Sequence, residues 1–555
     1  MAKQRIELDI LGMTCISCAE HVKNGLLSVP GVENVEVPGW NSGKAIVVTS
    51  EEVDVKKLSN AVAAVGYSAS VKAIHQQETA VETESSAQEK VDFDLLVIGG
   101  GSGGFAAAIK GEEMGYRVGI INGGIIGGTC VNVGCVPSKA LIRAAEAWHT
   151  VGHHPFLGVE TSQVSLDWSK VRDHKNELVS TLRQKKYVDV LGAYPNIKLI
   201  EGYATFAADG SVFLGNKHYR ARRYVIATGA QPRILPIPGL IEAQPLTSTT
   251  LMDLDVLPKS LIIMGGRAIA LELGQTMARL GVKVLILQRS ARLVPDHEPE
   301  VGRAIKDYLE QEGITILTGV QVERVSRNGD TRIVHARLMG QTREFEADQI
   351  LVALGRKPNT AGLGLDQVGV KLDNNGAIII DEYQQTSNPT IYASGDVTPN
   401  PEYVYVAAAS GTLAANNAFN ENQKALDLSA MPGVIFTDPQ IATVGLTEAQ
   451  AKREGNQVMA NVLPLEYVPR ALAARNTRGF IKIVADEKSG RILGVTVLAA
   501  EAGEVIQTAT LAVKFGLKIS DISETLFPYL TQVEGLKIAA LSFSRDIDKL
   551  SCCAG

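Results

Sequence analysis

The sequence predicts an α/β fold in which a strand, a glycine-rich turn and a helix occur twice in that order, behind a small separate N-terminal domain. Phe93–Ile98 is an apolar strand run that ends in GGGSGG and continues into a helix-like segment. Leu261–Met264 repeats this order before Gly265 and Gly266. Residues 75–91 are polar, rich in Glu, Gln, Ser and Thr, and lack aromatics, which is the composition of a flexible linker. The chain therefore divides at this linker.

The composition is that of an ordinary globular protein. A chain of 555 residues is expected to form three or more domains. The net charge of −6 gives no electrostatic reason to expect nucleic acid or an anionic membrane surface as a partner. No apolar run approaches the ~18 residues that span a bilayer, and Met1–Asp9 is charged rather than secretory in character. We therefore expect a cytoplasmic protein with no stable membrane insertion.

Six cysteines fall into three close pairs, Cys15/Cys18, Cys130/Cys135 and Cys552/Cys553. In a reducing compartment structural disulfides are rare, and paired cysteines are more often catalytic or metal-binding. The pairs therefore predict redox exchange, soft-metal ligation, or both.

Residues 1–74 have the pattern of a small α/β domain. Ile6–Ile10 alternates as a strand, and Ala45–Thr49 is a β-branched strand. Cys18–Leu27 and Val53–Val65 have helical periodicity, and the second of these helices ends at Gly66.

The first strand–turn–helix unit carries a dinucleotide-binding fingerprint. Gly99 permits the tight turn, Gly101 lets a pyrophosphate approach the backbone, and Gly104 lets the helix pack close to the sheet. The start of the helix attracts phosphate. Asn122 stands where an acidic residue is expected to bind a ribose, and an amide makes a weaker hydrogen bond there.

The second unit is degenerate after Gly265. Gln288 replaces the acidic residue 23 positions after the first glycine, as Asn122 does in the first unit, and Arg289 follows it. Loss of the acid beside an arginine favours a 2′-phosphate, and hence NADPH over NADH. Arg292 is a second candidate for this contact.

The central cysteine pair lies in GGTCVNVGCVPSK, residues 127–139. The segment is predicted to start a helix, with Pro137 in the first turn. A helix N-terminus lowers a thiol pKa and makes the thiolate a better nucleophile. Cys130 and Cys135 are therefore candidates for a reactive dithiol.

Residues 127–139 resemble the redox-active disulfide segment of the flavoprotein disulfide reductases. ATGAQPR (227–233), GRKPN (355–359) and IYASGDV (391–397) match the same family in the same order, and the resemblance covers residues 93–555. It implies FAD, a nicotinamide cofactor and a homodimer whose active site is shared between subunits.

The implied architecture is two Rossmann-like dinucleotide-binding domains and a C-terminal α+β dimerisation domain. The expected divisions are a metal-binding domain (1–74), a linker (75–91), a first FAD-binding part (92–240), an NADPH-binding domain (241–354), a second FAD-binding part (355–428) and the dimerisation domain with its Cys-Cys tail (429–555).

The resemblance also assigns roles within the site. Cys135 forms the charge-transfer contact with the flavin, and Cys130 exchanges with substrate. Lys139 lies near flavin N5 and pairs with Glu272. Asp396 and Thr129 belong to the flavin site.

One position separates this chain from the members that reduce organic disulfides. Those members carry a His-Pro-x-x-x-Glu segment whose His serves as the thiol's general base across the dimer. Here Tyr529 takes the place of that His, and the last histidine of the chain is His335. A substrate that needs a proton shuttled at its thiol is therefore disfavoured.

GMTCISC, with Cys15 and Cys18, resembles the loop of heavy-metal-associated domains and implies a ferredoxin-like βαββαβ fold. A thioredoxin-like redox pair is disfavoured because no thioredoxin-type pattern surrounds it. A zinc finger needs a second pair of ligands, for which only His21 and His75 are available in this domain.

The tail supplies two further thiols, Cys552 and Cys553, which are suited to capturing a soft cation. Taken together, the features resemble the mercury-reducing members of the family. That resemblance implies Hg(II)–thiol complexes as substrate and adds Tyr187 to the site, although Tyr194 is close by. The alternatives are a dihydrolipoamide dehydrogenase- or glutathione reductase-like enzyme and a copper-trafficking protein with a redox flavin core.

Overall fold

The computed structural model describes residues 3–13, 16–38, 42–50, 53–77, 91–163 and 165–549. The chain divides into two compact units, Met1–Glu89 and Lys90–Gly555. Cys15, Cys552, Cys553 and most of the predicted linker lie outside the described residues. Within the described ranges, no helix has the length and apolar character needed to cross a bilayer.

The N-terminal unit has the predicted βαββαβ order. Its sheet is antiparallel with strand order β2-β3-β1-β4, and both helices bury apolar side chains such as Val22 and Leu58 against it. The fourth strand runs to Gln77, three residues into the segment predicted as linker. The elements are β1 (Lys3–Leu11), α1 (Ile16–Leu27), β2 (Val32–Glu36), β3 (Lys44–Thr49), α2 (Val55–Ala64) and β4 (Ser68–Gln77).

The first dinucleotide-binding unit is a parallel sheet of order β21-β11-β5-β6-β7. The glycine turn leaves β5 where the strand order reverses, the position at which such sheets bind ligands. The elements up to the second unit are β5 (Phe93–Ile98), α3 (Ser102–Glu113), β6 (Val118–Asn122), α4 (Gly128–Val133), α5 (Cys135–His153), α6 (Trp168–Arg183), a π-helical turn (Gln184–Val188), α7 (Asp189–Leu191), β7 (Ile197–Glu201), β8 (Thr205–Phe206), β9 (Val212–Leu214), β10 (Lys217–Tyr219), β11 (Ala221–Ile226) and β12 (Ala230–Pro232).

The second unit repeats this plan with a parallel sheet of order β15-β14-β13-β19, and an antiparallel three-stranded sheet accompanies it. Its elements are α8 (Ser248–Leu251), β13 (Ser260–Met264), α9 (Ala268–Arg279), β14 (Lys283–Gln288), α10 (Pro299–Gln311), β15 (Thr315–Thr318), β16 (Gln321–Asn328), β17 (Thr331–Leu338), β18 (Gln341–Ala347) and β19 (Gln349–Val352). The chain then returns to the first sheet through β20 (Arg356–Pro358), β21 (Ile391–Ala393) and α11 (Val404–Phe419).

The C-terminal part is an antiparallel sheet of order β22-β23-β26-β25-β24. A separate hydrophobic core lies between this sheet and the final helices. Its elements are β22 (Pro432–Ile435), β23 (Gln440–Gly445), α12 (Glu448–Arg453), β24 (Val458–Pro464), α13 (Pro469–Ala473), β25 (Phe480–Asp486), β26 (Ile492–Ala499), α14 (Ala502–Lys514), α15 (Ile519–Glu524) and α16 (Glu534–Leu541).

Candidate active site

The two central cysteines lie on different helices. Cys130 is inside the short α4, and Cys135 is the first residue of α5, with Gly134 between the helices in a non-helical conformation. The segment predicted to start one helix therefore contains a helix break. A side chain at Gly134 would place its Cβ 2.9 Å from the Thr129 carbonyl oxygen, so glycine allows the two helices to meet closely. Both thiols are free.

The surroundings of the two thiols give them different pKa values. A hydrogen bond from the Cys130 thiol lowers the pKa of Cys135 to about 6, and the positive charge of Lys139 acts in the same direction against the effect of burial. The same hydrogen bond, together with burial, raises the pKa of Cys130. At neutral pH Cys135 is therefore the thiolate and Cys130 the thiol.

Lys139 and Glu272 are brought together as the resemblance implied. The Lys139 ammonium lies 2.6 Å from the Glu272 carboxylate, which is almost completely buried on α9. The other carboxylate oxygen accepts a hydrogen bond from the Phe436 backbone N–H at 2.9 Å. The Phe436 ring also faces the ammonium, whose nitrogen lies 4.6 Å from the ring centroid. Nothing in the sequence pattern singles out Phe436.

Tyr187 lies beside the cysteine pair. It sits in the π-helical turn after α6, and its ring packs edge-on against Phe105 with centroids 4.8 Å apart. Its hydroxyl lies 3.1 Å from the Ser102 hydroxyl. Burial raises the pKa of Tyr187, and the charges of Cys130 and Cys135 raise it further. Such turns frequently occur at functional sites.

Two tyrosines that the sequence pattern does not indicate complete the surroundings of the pair. Tyr403 and Tyr405 stack at the start of α11 with ring centroids 5.2 Å apart, and the Tyr405 hydroxyl donates to the Pro432 carbonyl. Burial raises the pKa of Tyr405, with a contribution from the charge of Cys135. These rings connect the start of α11 to the first strand of the C-terminal sheet.

Tyr529 lies just before α16 in the C-terminal part and is 57% exposed. The neighbouring Leu530 has a positive φ of 62°, and its N–H donates to the Glu534 carboxylate at 3.1 Å.

The glycine turn forms a cradle for a dinucleotide. A Cβ at Gly99 would lie 2.2 Å from the Ala227 carbonyl oxygen, and one at Gly104 would lie 1.9 Å from the Gly99 carbonyl oxygen. At Gly101 the nearest atom would be 3.5 Å away, so the protein itself leaves room for a side chain there. Gly101 is also the N-cap of α3, and no side chain caps it. The open approach and the uncapped N–H groups suit a bound phosphate.

Asn122 holds the cradle in shape. Its side-chain oxygen accepts a hydrogen bond from the Gly100 N–H at 3.1 Å, and its amide donates to the Gly124 carbonyl. The residue expected at the ribose is therefore bonded to the glycine turn. The cradle also touches the redox segment, because the Gly127 N–H donates to the Gly100 carbonyl at 2.8 Å.

Buried polar atoms near the cradle fit a polar ligand. Arg356 Nε and Ser394 Oγ are buried and have no hydrogen-bond partner among the described residues. Arg356 Nε lies 3.8 Å from the Asp396 carboxylate, and burial raises the pKa of Asp396. A Cβ at Gly103 would lie 3.0 Å from the Ser394 hydroxyl, which places that orphaned hydroxyl at the start of α3. The donors and the cradle together fit FAD.

The second cradle differs from the first in its charged residues. A Cβ at Gly265 would lie 2.3 Å from the Ala353 carbonyl oxygen, so the tight turn is present. Gln288 is buried and donates to the Arg292 carbonyl at 3.3 Å. Arg292 donates to the carbonyls of Pro295 and His297, so its guanidinium has a structural role. Arg289 is exposed and makes no hydrogen bond or ion pair with another described residue.

The metal-binding thiols are only partly described. Cys18 is buried in α1, two residues after that helix begins. Among the described residues, no three His, Cys, Asp or Glu side chains are arranged to hold a metal ion.

Comparison with protein families agrees with this arrangement. Residues 93–411 match the pyridine nucleotide-disulphide oxidoreductase family, and residues 431–540 match the dimerisation domain of the same family. Residues 7–68 match the heavy-metal-associated domain. The predicted family resemblance, fold class and metal-associated domain are thereby confirmed.

Similar proteins cover the chain from end to end. A mercuric reductase of Lysinibacillus sphaericus is 43% identical and spans 99% of this chain and 100% of its own length. A mercuric reductase of Staphylococcus aureus is 42% identical over 100% of both chains. Among solved structures, the HOCl-induced flavoprotein disulfide reductase RclA from Escherichia coli has a TM-score of 0.74 at 29% identity, covering 81% of this chain and 100% of its own. The chain belongs to the pyridine nucleotide-disulphide oxidoreductase family.

Proposed function

We propose that the chain reduces Hg(II) to Hg(0) with electrons from NADPH, using FAD and the Cys130/Cys135 pair. The observation that carries the proposal is the similarity to mercuric reductases along the whole chain, including the metal-associated domain. The acidity of Cys135 supports it, because a thiolate is the form that ligates a soft cation.

The site residues have distinct parts in this proposal. Hg(II) arrives as a thiol complex and passes to Cys130 and Cys135 by thiolate exchange. The cation gains two electrons that come from NADPH and leaves as Hg(0), and Cys130 and Cys135 remain as thiolates. Bound FAD would supply the two-electron transfer from the nicotinamide to this site. Tyr187 faces the sulfurs, and Tyr529 completes the site from the partner subunit of a homodimer.

The chain's own residues would hold both cofactors. The Gly99–Gly104 turn and the start of α3 bind the FAD pyrophosphate, Asp396 and Thr129 contact the flavin nucleotide, and Lys139 with Glu272 lies by the flavin ring. Gly265 and the start of α9 accept NADPH. Arg289 contacts its 2′-phosphate.

Cys15 and Cys18 collect the cation, and Cys552 and Cys553 transfer it to the redox pair of the partner subunit. This activity is placed in the cytoplasm, where the thiols stay reduced. Replacing Cys552 and Cys553 by serine is expected to impair turnover of thiol-bound Hg(II) while leaving the flavin spectrum intact. An unchanged turnover rate would show that Cys552 and Cys553 do not transfer the cation.

Disulfide reduction is the second candidate, because RclA is described as a disulfide reductase and has also been solved as a Cu(II) complex. The histidines argue against it. His335, the last in the chain, is buried on β17, lies 2.9 Å from the Ser326 hydroxyl and pairs with Glu344 at 2.8 Å. His335 is therefore bonded to other side chains. It also lies far along the chain from the segment in which the disulfide-reducing members carry their base.

The test measures NADPH oxidation by the purified full-length protein with Hg(II), Cu(II), oxidised glutathione or lipoamide as substrate. Excess thiol is added in the two assays that contain a metal ion. Hg(II) is expected to give the fastest oxidation. Faster oxidation with either organic disulfide would support the second candidate.

A further inference from the structure

Phe436 contacts the Lys139–Glu272 pair in two ways. Its backbone N–H holds one Glu272 oxygen at 2.9 Å, while Lys139 binds the other oxygen at 2.6 Å. Its ring faces the same ammonium at 4.6 Å. One residue of the C-terminal part therefore touches both members of an ion pair formed by α5 and α9.

The position of Phe436 is itself fixed by α9. Glu272, Gln275 and Arg279 lie three and four positions apart and so share one face of that helix. Gln275 accepts from the Asp438 N–H at 2.8 Å and donates to the Asp438 carbonyl at 2.9 Å. Arg279 donates to the Asp438 carboxylate at 2.7 Å. The segment Phe436–Asp438 is therefore held at both ends by one buried helix face.

Packing alone does not explain the ring. The preceding residue, Ile435, is buried and belongs to a hydrophobic core cluster. Phe436 is only half-buried and belongs to none of the core clusters found among the described residues. An aromatic ring with this exposure, facing a cation, points to an electrostatic role.

We propose that Phe436 is a positioning residue that fixes the direction of the Lys139 ammonium. Lysine carries its charge on a flexible four-carbon stem. The Glu272 carboxylate limits how far the ammonium can move, and the ring face limits the direction in which it points. The backbone contact to Glu272 persists in any substitution of the ring, so side-chain variants isolate the second restraint.

The test measures the accessibility of Lys139 directly. Full-length protein is treated with a lysine-directed acylating reagent, and modification of the Lys139 peptide is followed by mass spectrometry. Phe436→Leu is expected to raise the Lys139 labelling rate about 2- to 30-fold, the range that cation–π energies correspond to. Phe436→Tyr keeps the ring face and is expected to label like the unaltered protein.

Tyr308→Leu is the matched control, because it removes a ring that faces another cation, Arg478, at 5.9 Å. It is expected to leave Lys139 labelling unchanged. Equal labelling in Phe436→Leu and the unaltered protein would overturn the proposal, as would equal increases in Phe436→Leu and Phe436→Tyr. If Phe436→Leu does not fold, Phe436→Met provides the same loss of the ring.

A second readout rests on the proposed function. With FAD bound, Phe436→Leu is expected to shift the flavin midpoint potential, and Phe436→Tyr is not. A protein that binds no flavin would fail the proposed function, whereas Lys139 labelling would still decide the position of the ammonium. A flavin potential unchanged by Phe436→Leu would overturn the link to the flavin.

Discussion

Cys130 and Cys135 are chemically unequal, because the interaction between the two thiols lowers the pKa of Cys135 and raises the pKa of Cys130. Cys135 is the first residue of α5, where the helix dipole also favours a negative charge. One sulfur is thereby prepared as a thiolate, and the other keeps its proton until it exchanges with a ligand.

The reactivity of Cys135 should depend on pH. Because the pKa of Cys135 is lowered to about 6, its thiolate persists above pH 6 and is lost as the pH falls through that value. The rate of Cys135 alkylation by iodoacetamide in the reduced protein should therefore have its midpoint near pH 6. Cys130→Ala removes the donor and should move this midpoint upward, towards the ordinary thiol value of about 8.5.

Cys130→Ser is the control for that experiment, since a serine hydroxyl still donates to the thiolate. Its midpoint should stay below that of Cys130→Ala. Identical midpoints in the two variants would show that the hydrogen bond does not set the acidity of Cys135.

Tyr187 and Ser102 share a hydrogen bond, which allows the phenol's chemical role to be separated from packing. Tyr187→Phe keeps the ring on Phe105 but removes the hydroxyl beside the thiols, and kcat for Hg(II) reduction should fall about 10- to 100-fold. Ser102→Ala loses the same hydrogen bond, worth about 0.5–1.5 kcal/mol, and should retain most of kcat. If Tyr187→Phe and Ser102→Ala lose kcat equally in steady-state assays, turnover depends on the hydrogen bond between Tyr187 and Ser102 and not on the phenol beside the thiols.

Gly99 and Gly101 should respond differently to alanine. Gly99 has a φ of 116° and no room for a Cβ, so Gly99→Ala should destabilise the fold by at least about 1–3 kcal/mol. Gly101 has a φ of −87°, and its Cβ would meet only an ordinary contact at 3.5 Å. Gly101→Ala should therefore fold normally and lose FAD affinity.

Urea unfolding of the flavin-free protein and fluorescence titration with FAD measure the two effects. Unchanged FAD affinity in Gly101→Ala would show that the pyrophosphate does not approach the backbone at this position.

Arg289 should discriminate between the nicotinamide cofactors. Its removal takes away one charge-assisted contact, worth about 1.5–3 kcal/mol, so kcat/KM for NADPH should fall about 10- to 100-fold in Arg289→Ala. The value for NADH should change little. Arg292→Ala serves as the comparison, because that guanidinium is bonded to protein carbonyls and its loss should lower stability instead. Parallel losses with both cofactors in Arg289→Ala would contradict the assignment.

The sequence predicted the elements whose signals are local. Both glycine turns and their flanking strands follow from periodicity and from glycine positions that the backbone requires. Periodicity also gave two strands and two helices of the N-terminal unit, whereas its full βαββαβ order was implied by the resemblance to heavy-metal-associated domains. The helix break at Gly134 was missed, since a single glycine inside an otherwise helical pattern does not show whether one helix continues or two meet.

Contacts between distant residues were beyond the sequence pattern. Lys139 and Glu272 are 133 positions apart, and only the family resemblance paired them. Phe436 lies 164 positions from Glu272, and an aromatic residue after a strand has the same pattern as any core residue. The role of Asn122 also depends on tertiary structure, because its side chain folds back on the glycine turn that precedes it by 22 residues.

The most direct test of the account is the amount of Hg(0) released per NADPH consumed by the purified full-length protein with thiol-bound Hg(II). Because Hg(II) and NADPH exchange two electrons, the account predicts one Hg(0) evolved for each NADPH oxidised. It also predicts that Cys135→Ala abolishes the release. NADPH oxidation without Hg(0), or undiminished release from Cys135→Ala, would contradict it.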